Sequence, residues 1–253
     1  MVCVLSASQE QIDAMTFQLA IATSTGVILA SDLKHTNLYG FQNSTLAPKI
    51  HISISGRFAF CNAGDTDYGN LLVEEVERAI RKSSLDFTSE TVRDQIALRN
   101  VLIQCVPKAK GKHVKARKSQ GADKIHFGTT LFVFKYADAC RLWCVDSSNP
   151  APSVTASVGE YLKSGNVNTP AVFFPQEYID KLGGNETSLV ALAVHTVLMA
   201  KGDYVDGVEV GIFSPQRFEC LSASELEPYK QRSKELYTAI LDILRRDIEH
   251  TTA

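Results

Sequence analysis

The stretch MTFQLAIATSTGVILASDLKHT, Met15 to Thr36, decides how this chain is read. From Thr16 onward Phe17, Leu19 and Ile21 alternate with Gln18, Ala20 and Ala22, the period of two that sends successive side chains to opposite faces of a strand. Thr23-Ser24-Thr25-Gly26 supplies a turn, and Val27 to Ala30 reads as the returning strand. Folding about that turn sets Thr16 almost opposite Asp32. The pattern then repeats. Ile50, Ile52 and Ile54 alternate with His51 and Ser53, Ser55-Gly56-Arg57 turns the chain, and Phe58 to Cys61 runs back towards Asn62-Ala63-Gly64. The same arithmetic sets Lys49 opposite Asn62, with Gly64 just beyond. Two hairpins therefore predict that Thr16, Asp32, Lys49 and Gly64 gather at strand ends along one edge of a sheet.

After Gly64 the texture is helical. Asp65, Thr66 or Asp67 caps a segment with the stripe Leu72, Val76 and Ile80; Thr88 or Ser89 caps another carrying Val92, Ile96, Leu98, Val101 and Leu102. Thr129 to Tyr136 and Arg141 to Val145 read as a strand pair. Thr187 to Ala200 reads as a buried helix, Val208 to Phe213 as a strand, and Glu227 to Ile248 as a terminal helix with Leu236, Ile240, Ile243 and Leu244 on its inner face. Strands, two helices, strands and helices in that order predict sheet stacked on sheet between helical layers.

Composition bounds the chemistry. A chain of 253 residues, 45% hydrophobic, 21% charged and with net charge −2, has the make-up of a globular protein with a full core. Cys3, Cys61, Cys105, Cys140, Cys144 and Cys220 show no CxxC pair and no zinc-like spacing, which reads as reduced thiols in a cytoplasmic protein. No apolar run is long enough to cross a bilayer, so no membrane partner is expected. The six histidines form no HExxH or i,i+4 pair, and His195 reads as a core histidine. No GxSxG elbow, phosphate loop or dinucleotide fingerprint occurs, which favours a hydrolase without a cofactor.

The residues at the predicted sheet edge suit nucleophilic catalysis. A threonine hydroxyl needs a base, and at a chain start its own α-amino group, which titrates near pH ~8, can serve. A lysine held as ammonium favours both the neutral amine and the alkoxide, and a carboxylate beside it keeps it charged and oriented. Gly64 lets a backbone N–H approach an oxyanion, an interaction worth roughly 3 kcal/mol in other enzymes. The set is complete only if Thr16 is N-terminal.

Thr16 to Ala22, then GVILASDLKHT, APKI and NAG, resemble the β-type subunits of the proteasome family, including their bacterial homologues. LFVFKYADACRLWCVD, Ser164-Gly165 and GDYVDGVEVGIF extend the resemblance to Phe213. It implies a four-layered αββα sandwich of the N-terminal nucleophile hydrolase type and a threonine-type endopeptidase acting through an acyl-enzyme. Implied roles are Thr16 as nucleophile and base, Asp32 and Lys49 as the electrostatic pair, Gly64 as oxyanion donor, and Ser164 with Asp203 as orienters of the amine and hydroxyl. Lys34, Thr36 and Gly64 would hold an extended polypeptide substrate by backbone contacts, with His35, Ala47, Asn62 and Thr66 around the side chain before the scissile bond. The resemblance also implies a homo-oligomer in stacked rings, fed by an unfoldase or other activator. The competing readings are a non-catalytic scaffold of the same fold with a blocked N-terminus, and an amidohydrolase acting on a small amide.

Departures are specific. Asp206 stands where the family has serine, and Val208 where it has glycine; a carboxylate near the terminal amine would raise its pKa. Residues 1–15 precede the threonine and end in Met15-Thr16, where self-cleaving relatives carry Gly-Thr. They read as a mis-assigned start, a processed propeptide or a retained extension, and residues 16–253 as the domain. Inside it KAKGKHVKARKSQGADK reads as a basic loop insertion at about 107–124, solvated or drawing in acidic polypeptide; the acidic whole argues against nucleic acid.

Overall fold

The computed structural model describes residues 16–23, 26–36, 44–88, 91–147, 153–154, 161–164, 175–182, 185–200 and 206–251. The opening alternation folds as expected. Strand β1 (Gln18–Ala22) pairs antiparallel with β2 (Val27–Ser31), Gln18 opposite Ser31 and Ala22 opposite Val27. The turn is closed by Thr23, whose N–H and hydroxyl both donate to the Gly26 carbonyl. A short ribbon follows, β3 (Lys34–Thr36) with β4 (Ser44–Leu46). Then β5 (Ile50–Ile52) and β6 (Phe58–Gly64) make the second hairpin, with Ile50 opposite Cys61.

The two hairpins lie in different sheets, which corrects the expectation of one shared edge. β6 pairs with β7 (Gly128–Lys135), β7 with β8 (Cys140–Asp146) and β8 with β9 (Ser153–Val154), giving the order β5-β6-β7-β8-β9. The first hairpin joins β10 (Tyr161–Ser164), β11 (Glu209–Phe213) and β12 (Phe218–Cys220) in the order β10-β1-β2-β11-β12. Apolar alternation explains the outcome. Ala20, Ala22, Val27 and Leu29 of one sheet share a buried cluster with Ile50, Ala59, Cys61, Leu131, Val133 and Leu142 of the other. The two hairpins thus share one buried apolar cluster although each pairs with different strands.

Helix residues join strand residues in two further buried clusters. Helix α1 (Thr66–Lys82) is capped by Asp65, whose side chain accepts the Tyr68 N–H, and its Leu72, Val76 and Ile80 pack with Phe58, Phe132, Phe134 and Trp143. Helix α2 (Val92–Ser119) joins that cluster through Leu98, Leu102, Cys105, Val106 and Ala109. On the other sheet, α3 (Pro175–Leu182), α4 (Glu186–Met199) and α5 (Ala223–Thr251) gather against Phe17, Leu19, Ile21, Ile28 and Val210. The chain is therefore a mixed α and β protein with antiparallel sheets.

Three helical expectations change. The basic segment is not a loop, because α2 runs to Ser119. Lysine, alanine and arginine are strong helix formers, Val106, Ala109 and His113 present a buried stripe at helical spacing, and Lys112 and Arg117 bond Glu75 and Asp65 on and before α1. Only residues 120–124 of the run lie beyond the helix. Thr91 caps α2 rather than Thr88 or Ser89, its hydroxyl accepting the Asp94 N–H, and Val92 and Ile96 are exposed. On α5 the expected inner face is outward: Leu236, Ile240 and Ile243 are exposed. The helix meets the body through Leu226, Tyr229 and Ser233, where the Ser233 hydroxyl lies 2.8 Å from His195 Nδ1 on α4. His195 is thus half-buried and partnered, its pKa lowered by burial.

Candidate active site

At one end of the stacked sheets three of the expected residues meet. Phe17 donates its N–H to Asp32 Oδ1 at 2.8 Å, and the Asp32 N–H returns to the Phe17 carbonyl at 3.0 Å. That reciprocal pair continues the β1–β2 ladder one step and fixes Thr16 beside it. Asp32 Oδ2 also accepts the Lys34 N–H at 2.9 Å. From the other sheet, Lys49 lies immediately before β5 and donates Nζ to Asp32 Oδ2 at 2.8 Å and to Thr16 Oγ1 at 3.1 Å.

The electrostatics are those of a dry site. Asp32 and Lys49 side chains are 0% and 4% exposed. Burial pushes the Asp32 carboxyl above its ordinary range, against the pull of the Lys49 ammonium and the two backbone donors. Removing two charges from water costs several kcal/mol per ion, so such a pair persists only with good geometry and satisfied lone pairs. Asp32 has both, and Lys49 is directed at the threonine hydroxyl. An ammonium there lowers the cost of forming an alkoxide.

Gly64 ends β6 with φ +108°, and a Cβ on it would lie 2.4 Å from the Phe127 carbonyl oxygen. Only glycine fits that approach. Asp65 follows as the α1 cap, so Gly64 sits at the entry to a helix N-terminus, where backbone N–H groups favour negative charge. Ser164 ends β10 opposite Gln18, two residues along from Thr16. Asp203 lies outside the described residues. Asp206 is half-buried; its carboxylate accepts the Gly207 N–H, and its carbonyl accepts the Leu33 N–H next to Asp32.

The expected substrate-side residues form two groups. Lys34, His35 and Thr36 make up β3, paired with Leu46, Thr45 and Ser44, and the Ala47 N–H bonds the Leu33 carbonyl. His35 Nε2 is buried with no hydrogen-bond partner among the described residues. Asn62 lies on β6, its Oδ1 accepting the Thr130 hydroxyl at 2.8 Å, and Thr66 is exposed at the start of α1.

One residue escaped the sequence reading. Glu209 opens β11 opposite Ser31, and its Oε1 accepts the Ile50 N–H at 2.9 Å as well as the Lys49 N–H. Burial pushes its carboxyl up to about 7. The available signal was a lone acidic residue in the apolar run Val208 to Phe213, at a position where an inward side chain meets the second sheet. Among the described residues no group of three His, Cys, Asp or Glu is placed to hold a metal ion, and no helix is long and apolar enough to cross a membrane.

No protein-family model matches this sequence, and no curated relative matches it. Solved structures do. The chain is similar in fold to the Anbu (Gly-1) mutant from Hyphomicrobium sp. strain MC1, with TM-score 0.61 and 15% identity over 92% of this chain and 99% of that one. It is likewise similar to Anbu (ancestral beta-subunit) from Yersinia bercovieri, with TM-score 0.61 and 13% identity over 90% and 96%. A further Anbu structure from Hyphomicrobium sp. strain MC1 gives TM-score 0.56 and 14% identity over 92% and 97%. These likenesses correct the resemblance drawn from sequence: the fold neighbours are Anbu proteins, a family distinct from the proteasome β-type subunits. One fold hosts many families, so a likeness in a few short stretches does not separate one such family from another.

Proposed function

We propose that this chain is an N-terminal threonine hydrolase that cleaves peptide bonds through an acyl-enzyme. The observation that carries the reading is the Lys49 ammonium, bonded at once to Thr16 Oγ1 and to the buried Asp32 carboxylate. The clusters on each side of the two sheets support a four-layered αββα arrangement of the N-terminal nucleophile type. The Anbu likeness, with the words ancestral beta-subunit, supports a peptidase-like relative.

In this reading Thr16 carries a free α-amine, which removes the Oγ1 proton as the oxygen attacks the scissile carbonyl carbon. Lys49 stabilises the negative charge gathering on Oγ1, and Asp32 keeps Lys49 oriented. The Gly64 N–H receives the carbonyl oxygen as it becomes an oxyanion. The C–N bond then breaks, the leaving amine takes the proton from the α-ammonium, and an ester remains on Thr16. Water, deprotonated by the same amine, attacks the ester carbon; the C–Oγ1 bond breaks, Oγ1 takes the proton back from the α-ammonium, and the acid is released. Ser164 and Asp203 orient the amine and hydroxyl. The β3 edge with Lys34 and Thr36 takes the substrate as an added strand, and His35, Ala47, Asn62 and Thr66 face its side chain. The domain is residues 16–253, and the working form is a homo-oligomer fed with unfolded polypeptide by a partner.

The test combines N-terminal sequencing with turnover of a peptide panel and of small amides, for the protein and for Thr16→Ala. The expected result is a chain beginning at Thr16, peptide cleavage, and loss of that cleavage in Thr16→Ala with the thermal midpoint unchanged. A chain that retains a residue before Thr16 and cleaves nothing would overturn the reading in favour of a scaffold; hydrolysis of small amides alone would replace the substrate class.

A further inference from the structure

Thr16 and Asp32 flank strands of one sheet and Lys49 flanks a strand of the other, so the site exists only if the two sheets hold a fixed offset. Apolar contact between sheets is non-directional and does not by itself set a side chain to within a few tenths of an ångström. Glu209 supplies a directional link. It sits on β11, in the sheet that carries Asp32, and its Oε1 accepts backbone N–H groups from Lys49 and Ile50 in the facing sheet. It is 8% exposed. A buried carboxylate costs more than the aliphatic side chain that would fill the same space, so apolar packing alone does not explain it.

The strand that carries Glu209 is itself pinned to the Asp32 segment. Gly207 has φ +69°, and a Cβ there would meet Leu33 Cδ1 at 2.9 Å, while the Leu33 N–H bonds the Asp206 carbonyl. One continuous path therefore runs from Asp32 through Leu33 and Asp206–Gly207 to Glu209 and across to the Lys49 backbone. The ionisable groups that act on Glu209 are Lys49 and Asp32. Cys61 on β6 and Cys220 on β12 also face it; Cys220 Sγ lies 3.9 Å from the Ile50 carbonyl oxygen, and both thiols are raised, first by burial and next by the Glu209 charge.

We propose that Glu209 is a positioning residue, whose carboxylate fixes the Lys49 backbone across the sheet interface so that the ammonium reaches Thr16 Oγ1. The inference rests on the N-terminal threonine reading. Because the carboxyl is pushed up to about 7, the link changes between a neutral and a charged acceptor close to neutral pH.

The experiment follows covalent labelling of Thr16 by a peptide epoxyketone, which needs both the hydroxyl and the free α-amine, by intact mass on a chain that begins at Thr16. Glu209→Ala removes the acceptor; Glu209→Gln keeps an oxygen but loses the charge. The expected result is labelling slowed about tenfold in Glu209→Ala and largely restored in Glu209→Gln. The ratio of wild-type to Glu209→Gln rates should rise between about pH 6 and about pH 8, since the threonine amine titrates in both and cancels. Equal labelling of wild type and a folded Glu209→Ala overturns the proposal and leaves the threonine reading standing. If Glu209→Ala does not fold, a ratio flat with pH overturns it instead. Failure to label the wild type overturns the threonine reading, and this proposal with it.

Discussion

Two ion pairs of nearly equal length sit in opposite surroundings. Lys49–Asp32 is 2.8 Å long with side chains 4% and 0% exposed; Arg81–Glu77, on the outer face of α1, is 3.0 Å long with side chains 58% and 12% exposed. The surface pair is an i,i+4 contact of the kind worth a few tenths of a kcal/mol, since water already solvates the charges. The buried pair has given up that solvation. Distance alone is therefore a poor guide to what a pair does. The difference lies in what else each one touches: among the described residues Arg81 bonds Glu77 of its own helix, which also accepts the Ser55 hydroxyl, while Lys49 links segments that flank two sheets and reaches the Thr16 hydroxyl.

The largest effect should come from breaking the buried pair on one side. Lys49→Met leaves the Asp32 charge buried and unpaired, and should cost about 3–5 kcal/mol by chemical denaturation together with any turnover. Adding Asp32→Asn should return part of that stability and none of the turnover, because the lost partner of Thr16 is still missing. If the single and double variants were equally unstable, the pair would not be what holds this end together.

Next in size is the pH dependence contributed by Glu209. Its folded carboxyl titrates at about 7 against an ordinary 4.5, so the folded chain binds this proton more tightly than the unfolded one. The contribution is fully present below about pH 4.5 and is lost as pH rises through about 7, by the order of 3 kcal/mol at the limit. Wild type minus Glu209→Gln, from denaturation across that window, should fall with pH by that order. A flat difference would mean that the carboxyl is not desolvated. The smallest effect is the control: Arg81→Ala should shift stability by about 0.5 kcal/mol or less and shrink further in high salt.

Much of this arrangement was legible in the amino acids because hairpin register is local. Alternation from Phe17 to Ala30 set Thr16 near Asp32, and observed pairings of Gln18 with Ser31 and Ile50 with Cys61 follow the same count. Which sheet each hairpin joins depends on partners far along the chain, β7 for one and β11 for the other, and no local pattern carries that. The basic run misled for a related reason. Lys108 to Lys118 looks solvated by composition, but Val106, Ala109 and His113 are spaced to bury one stripe of a helix. On α5 the apolar stripe was read as inward because apolar residues usually are; Ser233 is buried against His195, whereas Leu236, Ile240 and Ile243 beyond it are exposed. Glu209 left a single sign, one acidic residue in an apolar run, because the backbone N–H it accepts belongs to Lys49, 160 residues away.

The reciprocal bonds between Phe17 and Asp32 bear on the proposed role of the Thr16 nitrogen. Both use atoms that lie after the Thr16 carbonyl, so neither depends on what is attached to the Thr16 nitrogen. The contacts of Lys49 with Thr16 Oγ1 and Asp32 Oδ2 are likewise made by side chains and not by the Thr16 nitrogen. If the threonine reading holds, exposing that nitrogen would therefore call for a change at one atom and no rearrangement of the groups around it.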